Sequence, residues 1–127
     1  MNKQKNKKIK IKGKVINGFG KGAFFLSREP YKSFFKGLLG NDPFPGTLNV
    51  KLDRPWKDVI PLPNTFQPVE YGGISYAIGS LNGLKIIVLR PHKSQHPQEV
   101  IEIVASKYLR KELKITNGNY IEFEVYV

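Results

Sequence analysis

The sequence predicts a mostly β fold, a small barrel with two short helices set into it, and three observations carry that prediction. About six segments have strand length and composition, and turn residues rather than helices separate most of them. With 127 residues and 40% hydrophobic content the chain can close one core but not two ordinary ones. The pattern argues against a doubly wound sheet, because its strands would have to alternate with helices.

Taken in order, residues 1–8 read as a basic flexible tail and residues 9–127 as one domain. Ile9 to Ile16 alternates apolar with basic positions, the pattern of a half-buried strand, and stops at Asn17-Gly18. Gly18 to Phe25 is a glycine-rich stretch. From Pro30 to Leu39 the apolar residues recur at helical spacing, with Gly40 as the stop. Thr47 to Leu52 reads as a strand and Asp53 to Asn64, with Pro55, Pro61 and Pro63, as a loop. Thr65 to Tyr71, Ile74 to Ser80 and Leu84 to Arg90 form an expected antiparallel meander. Gly72-Gly73 and Asn82-Gly83 there supply the positive φ of tight hairpins. Strand Val100 to Val104 is followed by Ser106 as N-cap of a short helix, Lys107 to Leu113. The turn Asn117-Gly118 then leads to a last strand, in which Ile121, Phe123, Val125 and Val127 alternate with Tyr120, Glu122, Glu124 and Tyr126.

The net charge of +11 suggests a polyanion partner, but Lys3, Lys5, Lys7, Lys8, Lys10, Lys12 and Lys14 carry most of the excess. From residue 15 onward 14 basic residues face 10 acidic ones, a mild balance. A solubilising tail and a polyanion-binding arm both fit the amino-terminal lysines. The absence of cysteine excludes disulfides, thiolate zinc sites and a cysteine nucleophile. No apolar run reaches the roughly 18 residues of a membrane span and the start lacks a signal-peptide core, so a cytoplasmic protein is expected.

Four segments could carry chemistry. Gly18-x-Gly20-x-Gly22, with Lys21 inside it, would let backbone N–H groups approach phosphates, although it is neither a Walker loop nor a dinucleotide fingerprint and could be a plain turn. Thr47 and Asn49, two apart on a strand, share one face and offer neutral oxygens suited to Mg²⁺, or else simply face solvent. Glu102 stands in phase with Val100 and Val104 on a strand apolar on both faces, where a carboxylate needs a partner or a purpose; a salt bridge at a barrel end would serve as well. Lys107, Tyr108, Leu109 and Arg110 open the last helix, where unpaired N–H groups and two cations could meet a nucleotide or only water. His92 and His96 lack companion ligands and read as surface histidines.

Together these segments give the chain its resemblance to the archaeal CTP-dependent riboflavin kinases, over about residues 11 to 127. The residues that carry it are Gly18 to Ser27 (GFGKGAFFLS), Pro30-Tyr31, Gly46 to Leu52 (GTLNVKL) and His96 to Ala105 (HPQEVIEIVA), followed by Leu109-Arg110. The resemblance implies a six-stranded cradle-loop barrel, shaped like bacterial transition-state regulators, that moves the γ-phosphoryl group of CTP to riboflavin, giving FMN and CDP. By correspondence of motif, Phe19, Gly20, Lys21, Gly22, Ala23 and Phe24 would hold the nucleotide with Lys107, Tyr108, Leu109 and Arg110. Thr47 and Asn49 would bind Mg²⁺, Ser94 and Glu102 would contact the flavin, and Glu102 is the candidate general base. A monomer is expected, with no membrane and no nucleic-acid partner. The lysine tail departs from the family pattern, as does Asn119, where related barrels often carry an acid. The competing reading, a nucleic-acid-binding barrel of the regulator type, accounts for the charge but gives no purpose to Thr47, Asn49 and Glu102.

Overall fold

Alternation along the first segment becomes strand β1, Lys8–Ile16, in a computed structural model that describes residues 7–18 and 20–127, Lys21 by its backbone alone. Lys7 already exchanges backbone hydrogen bonds with Val127, and the tail residues before it lie outside the described residues. The elements that follow are α1 (Lys21–Leu26), α2 (Tyr31–Leu39), β2 (Leu48–Lys51), α3 (Trp56–Val59) and β3 (Asn64–Phe66). After them come β4 (Ile74–Leu81), β5 (Leu84–Pro91), β6 (Val100–Val104), α4 (Leu109–Glu112) and β7 (Tyr120–Tyr126). Every strand pairing is antiparallel. Six strands close a barrel in the order β4, β5, β6, β2, β1, β7 and back to β4, while β3 is added outside on β4. The barrel expected from the sequence is therefore present. Among the described residues no helix is long and apolar enough to cross a membrane.

Closure occurs where β4 meets β7, with Gly79 opposite Val125. A β-carbon on Gly79 would run into the backbone carbonyl of Glu124, and backbone cannot swing aside as a side chain can. Gly79→Ala should therefore lower stability by about 1–3 kcal/mol in chemical denaturation. A denaturation midpoint equal to that of the parent protein would show that the seam tolerates the extra carbon.

Strands β5 and β6 are buried on both faces, which explains their unbroken apolar runs. Ile86, Val88, Ile101 and Ile103 point into the barrel with Leu48 and Val50 of β2. Ile87, Leu89 and Val104 point outward and are covered by Leu26 of α1 and by Phe35 and Leu39 of α2. Burial of each such side chain contributes roughly 1.5–3 kcal/mol. Glu102, in phase with Val104, consequently lies on the outer wall of the barrel, on the side that the helices cover.

Several expectations need correction. The described residues form four short helices instead of two: the glycine stretch passes into α1, where Ala23 to Leu26 can coil because Leu26 reaches the outer core, and Pro55 precedes the single turn α3 within the expected loop. Thr65 to Tyr71 is not one strand. Pairing ends at Phe66, since Pro68 has no N–H to continue a ladder, and Gln67 turns back to bond the carbonyls of Pro68 and Tyr71. A seven-residue connection, 67–73, thus replaces the tight turn expected at Gly72-Gly73, and neither glycine has a positive φ. Asn82 and Gly83 do, at 50° and 81°, in the hairpin between β4 and β5. The last helix is shorter than expected and begins at Leu109, with Tyr108 in place of Ser106 at its cap position.

Candidate functional site

The outer wall of β2 and β6 floors a cleft of about 530 Å³, walled by the glycine turn, by residues 44–49, by the 91–96 loop and by residues 107–110. On its floor Asn49 and Glu102 are direct cross-strand partners in the β2–β6 ladder. Both are nearly closed off, at 6% and 8% exposure, although each is polar. The hydroxyl of Thr47, one residue ahead of β2, donates a hydrogen bond to the Glu102 carboxylate. Asn49 has no hydrogen-bond partner for its side chain among the described residues. The amide lines the cleft, where it is available to whatever enters it.

The glycines of the turn follow from this floor. A β-carbon on Gly18 would collide with the Asn49 amide, and one on Gly22 would lie 2.8 Å from the Thr47 hydroxyl oxygen. Only main chain fits there, so the backbone of the turn rests directly on the two polar side chains. Gly20, at φ 77°, makes the left-handed bend that turns the chain into α1.

Burial pushes the Glu102 carboxyl above the ordinary carboxylate range, offset in part by the Thr47 hydrogen bond and by the charge of Arg90. Arg90, only 5% exposed, ends the apolar run of β5. Burial lowers its pKa against the opposing pull of Glu102 and then of Glu99. His96, on the loop above, is lowered first by burial and then by Arg90. His92 is exposed and shares a hydrogen bond of 3.0 Å with Ser75.

Across the cleft Tyr108 stacks on Phe44, with ring centroids 4.5 Å apart and planes 9° from parallel. That contact holds Lys107 and Tyr108 ahead of the helix. Arg110 donates to the Ile16 carbonyl at 3.1 Å, fastening this segment to the end of β1 just before the glycine turn.

The cleft unites residues far apart in the chain: Gly20, Gly22, Ala23, Thr47, Asn49, Ser94, Glu102, Lys107, Tyr108, Leu109 and Arg110 all line it. Phe24 does not. It is 63% exposed, with the Arg28 guanidinium 4.5 Å over its ring. Phe19 and the side chain of Lys21 lie outside the described residues. Tyr31, which the resemblance included without a role, lines the cleft too, as do Phe44 and Gly72 to Ile74, which the sequence did not assign to the site because an aromatic or glycine reads equally as core or turn. Arg90 had one signal, a charge closing the apolar run Ile86 to Leu89. No group of three His, Cys, Asp or Glu side chains gathers among the described residues. Thr47 and the unpartnered Asn49 amide instead offer hard, neutral oxygens, the donor type that suits a hard cation whose other ligands are water and phosphate.

A family model named for the CTP-dependent riboflavin kinases, and described as domain of unknown function DUF120, matches residues 15–125. The riboflavin kinase of Pyrobaculum aerophilum is 38% identical over 127 residues, spanning 92% of this chain and 60% of that protein. That of Ignicoccus hospitalis is 37% identical, spanning 95% and 73%. That of Methanococcus aeolicus is 37% identical, spanning 91% and 98%. The chain thus spans about 60% of the length of the Pyrobaculum proteins and nearly all of the Methanococcus one.

Proposed function

The chain belongs to the CTP-dependent riboflavin kinase family, and we propose that it transfers the γ-phosphoryl group of CTP to the ribityl 5′-hydroxyl of riboflavin, giving FMN and CDP. The observation that carries this reading is the cleft floor, where glycine-turn backbone lies directly on Thr47 and Asn49 and Glu102 stands across the ladder from Asn49.

Phosphoryl transfer asks a protein chiefly for alignment and charge neutralisation. In this reading the N–H groups of residues 20–23 and the segment Lys107 to Arg110 hold the nucleotide on either side of the cleft. Thr47 and Asn49 hold Mg²⁺, which when bound neutralises charge on the phosphates. Ser94 and Glu102 hold the flavin so that its 5′-oxygen points at the γ-phosphorus. The bond formed joins that oxygen to phosphorus, and the bond broken releases CDP through the oxygen bridging its β- and γ-phosphorus atoms. Glu102 accepts the hydroxyl proton. A carboxylate pushed upward by burial is a better acceptor near neutral pH than an ordinary one. The competing nucleic-acid reading draws on the lysines of β1, where Lys10 and Lys12 stand opposite Glu124 and Glu122. It leaves the cleft floor without a role.

Purified protein incubated with riboflavin, Mg²⁺ and either CTP or ATP tests the proposal by chromatography of the flavins. FMN formed with CTP and not with ATP is the expected result. FMN formed only with ATP would overturn the donor, and no FMN with any nucleotide would overturn the activity.

A further inference from the structure

Arg90 is a cation buried to 5% exposure, and all three of its hydrogen bonds among the described residues go to main-chain carbonyls. One guanidinium nitrogen donates to Pro97 and to Val100, each at 2.7 Å, and the other donates to His96 at 2.9 Å. These carbonyls belong to the returning arm of the loop that leaves β5 at Pro91 and re-enters the barrel at Val100. The outgoing arm forms one wall of the cleft through Lys93, Ser94 and Gln95. The Ser94 hydroxyl oxygen ties the two arms by accepting from the His96 N–H at 3.1 Å, and within the outgoing arm the Ser94 N–H donates to the Pro91 carbonyl at 3.2 Å. An apolar side chain would fill the same space. It would leave three inward-facing carbonyls without this donor and would let the loop move.

We infer that Arg90 is a positioning residue for the acceptor side of the site: its three carbonyl bonds set the loop so that Ser94 faces the cleft. The inference rests on the proposed kinase reading for the identity of what Ser94 meets, but the fixing of the loop is independent of it. Because Arg90 touches neither the glycine turn nor the 107–110 segment in its hydrogen bonds, its loss should fall on one substrate. In Arg90→Met the KM for riboflavin should rise about tenfold while the KM for CTP stays within about twofold. Arg90→Lys keeps the charge and part of the bonding, so it should recover part of the riboflavin KM and should fold if the Met variant does not.

Amide exchange of residues 92–96, measured on the same variants without any substrate, supplies the second readout. Faster exchange confined to that loop supports the inference even if the parent protein makes no FMN, an outcome that would overturn the kinase reading alone. Equal increases in both KM values, or exchange in the loop unchanged from the parent, would overturn the positioning role.

Discussion

Asn49→Ala should lower turnover by about 100- to 1,000-fold, the size of effect seen when a group that neutralises developing charge is removed. The melting temperature should hold. Stability is spared because the Asn49 side chain makes no hydrogen bond among the described residues and faces the cleft, so the substitution breaks no bond within the fold. The backbone ladder to Glu102 is unaffected, since a β-strand pairs through its main chain. A requirement for more Mg²⁺ at half-maximal rate should accompany the loss, because the remaining Thr47 oxygen is a poorer holder by itself. Steady-state rates over a Mg²⁺ series, beside a thermal melt, check both halves. Turnover equal to that of the parent would remove Asn49 from the metal site, and a melting temperature lowered by many degrees would make it a structural residue.

The sequence was most legible where local pattern and tertiary role agree. Period-two alternation in β1 and β7 marks strands with one face in the barrel, and Asn82-Gly83 marks a hairpin whose geometry only such residues adopt readily. Apolar runs on both faces of β5 and β6 announced burial without revealing what covers the outer face, because the cover comes from α1 and α2 far away in sequence. Boundaries failed where one distant contact decides. Tyr108 is kept out of the last helix by its stack on Phe44, and Pro68 ends a strand that composition alone would extend. In the site, the glycine spacing was visible but its cause was not. Gly18 and Gly22 are small because Asn49 and Thr47 press against them, a relation between residues 31 and 25 positions apart. Arg90 stayed obscure because three carbonyls, which have no sequence signature, are its partners.

Glu102→Gln sets catalysis against stability, and the two should move in opposite directions. Replacing a proton acceptor by its neutral isostere should slow transfer by about 100-fold or more. Burial raises the Glu102 pKa in the folded protein above its unfolded value, with the Thr47 hydrogen bond and the Arg90 charge opposing that rise only in part. The folded state therefore binds this proton more tightly than the unfolded chain does. The stabilisation from the group is complete below the unfolded pKa and is lost as pH climbs through the folded one. Near neutral pH the parent protein carries a buried carboxylate at a net cost, whereas the Gln variant carries none. Metal-free melts should show the variant more stable than the parent at neutral pH, with the difference fading as pH falls through the carboxylate range. If Glu102 were instead half of a stabilising ion pair with Arg90, breaking the pair would leave a buried cation exposed to its full desolvation, and the variant would melt lower at neutral pH. The geometry weighs against that outcome, because three of the five Arg90 N–H donors go to carbonyls and the two ion pairs found among the described residues involve neither side chain. A variant that melts higher and transfers poorly would place Glu102 with the residues a protein keeps for chemistry at the expense of stability.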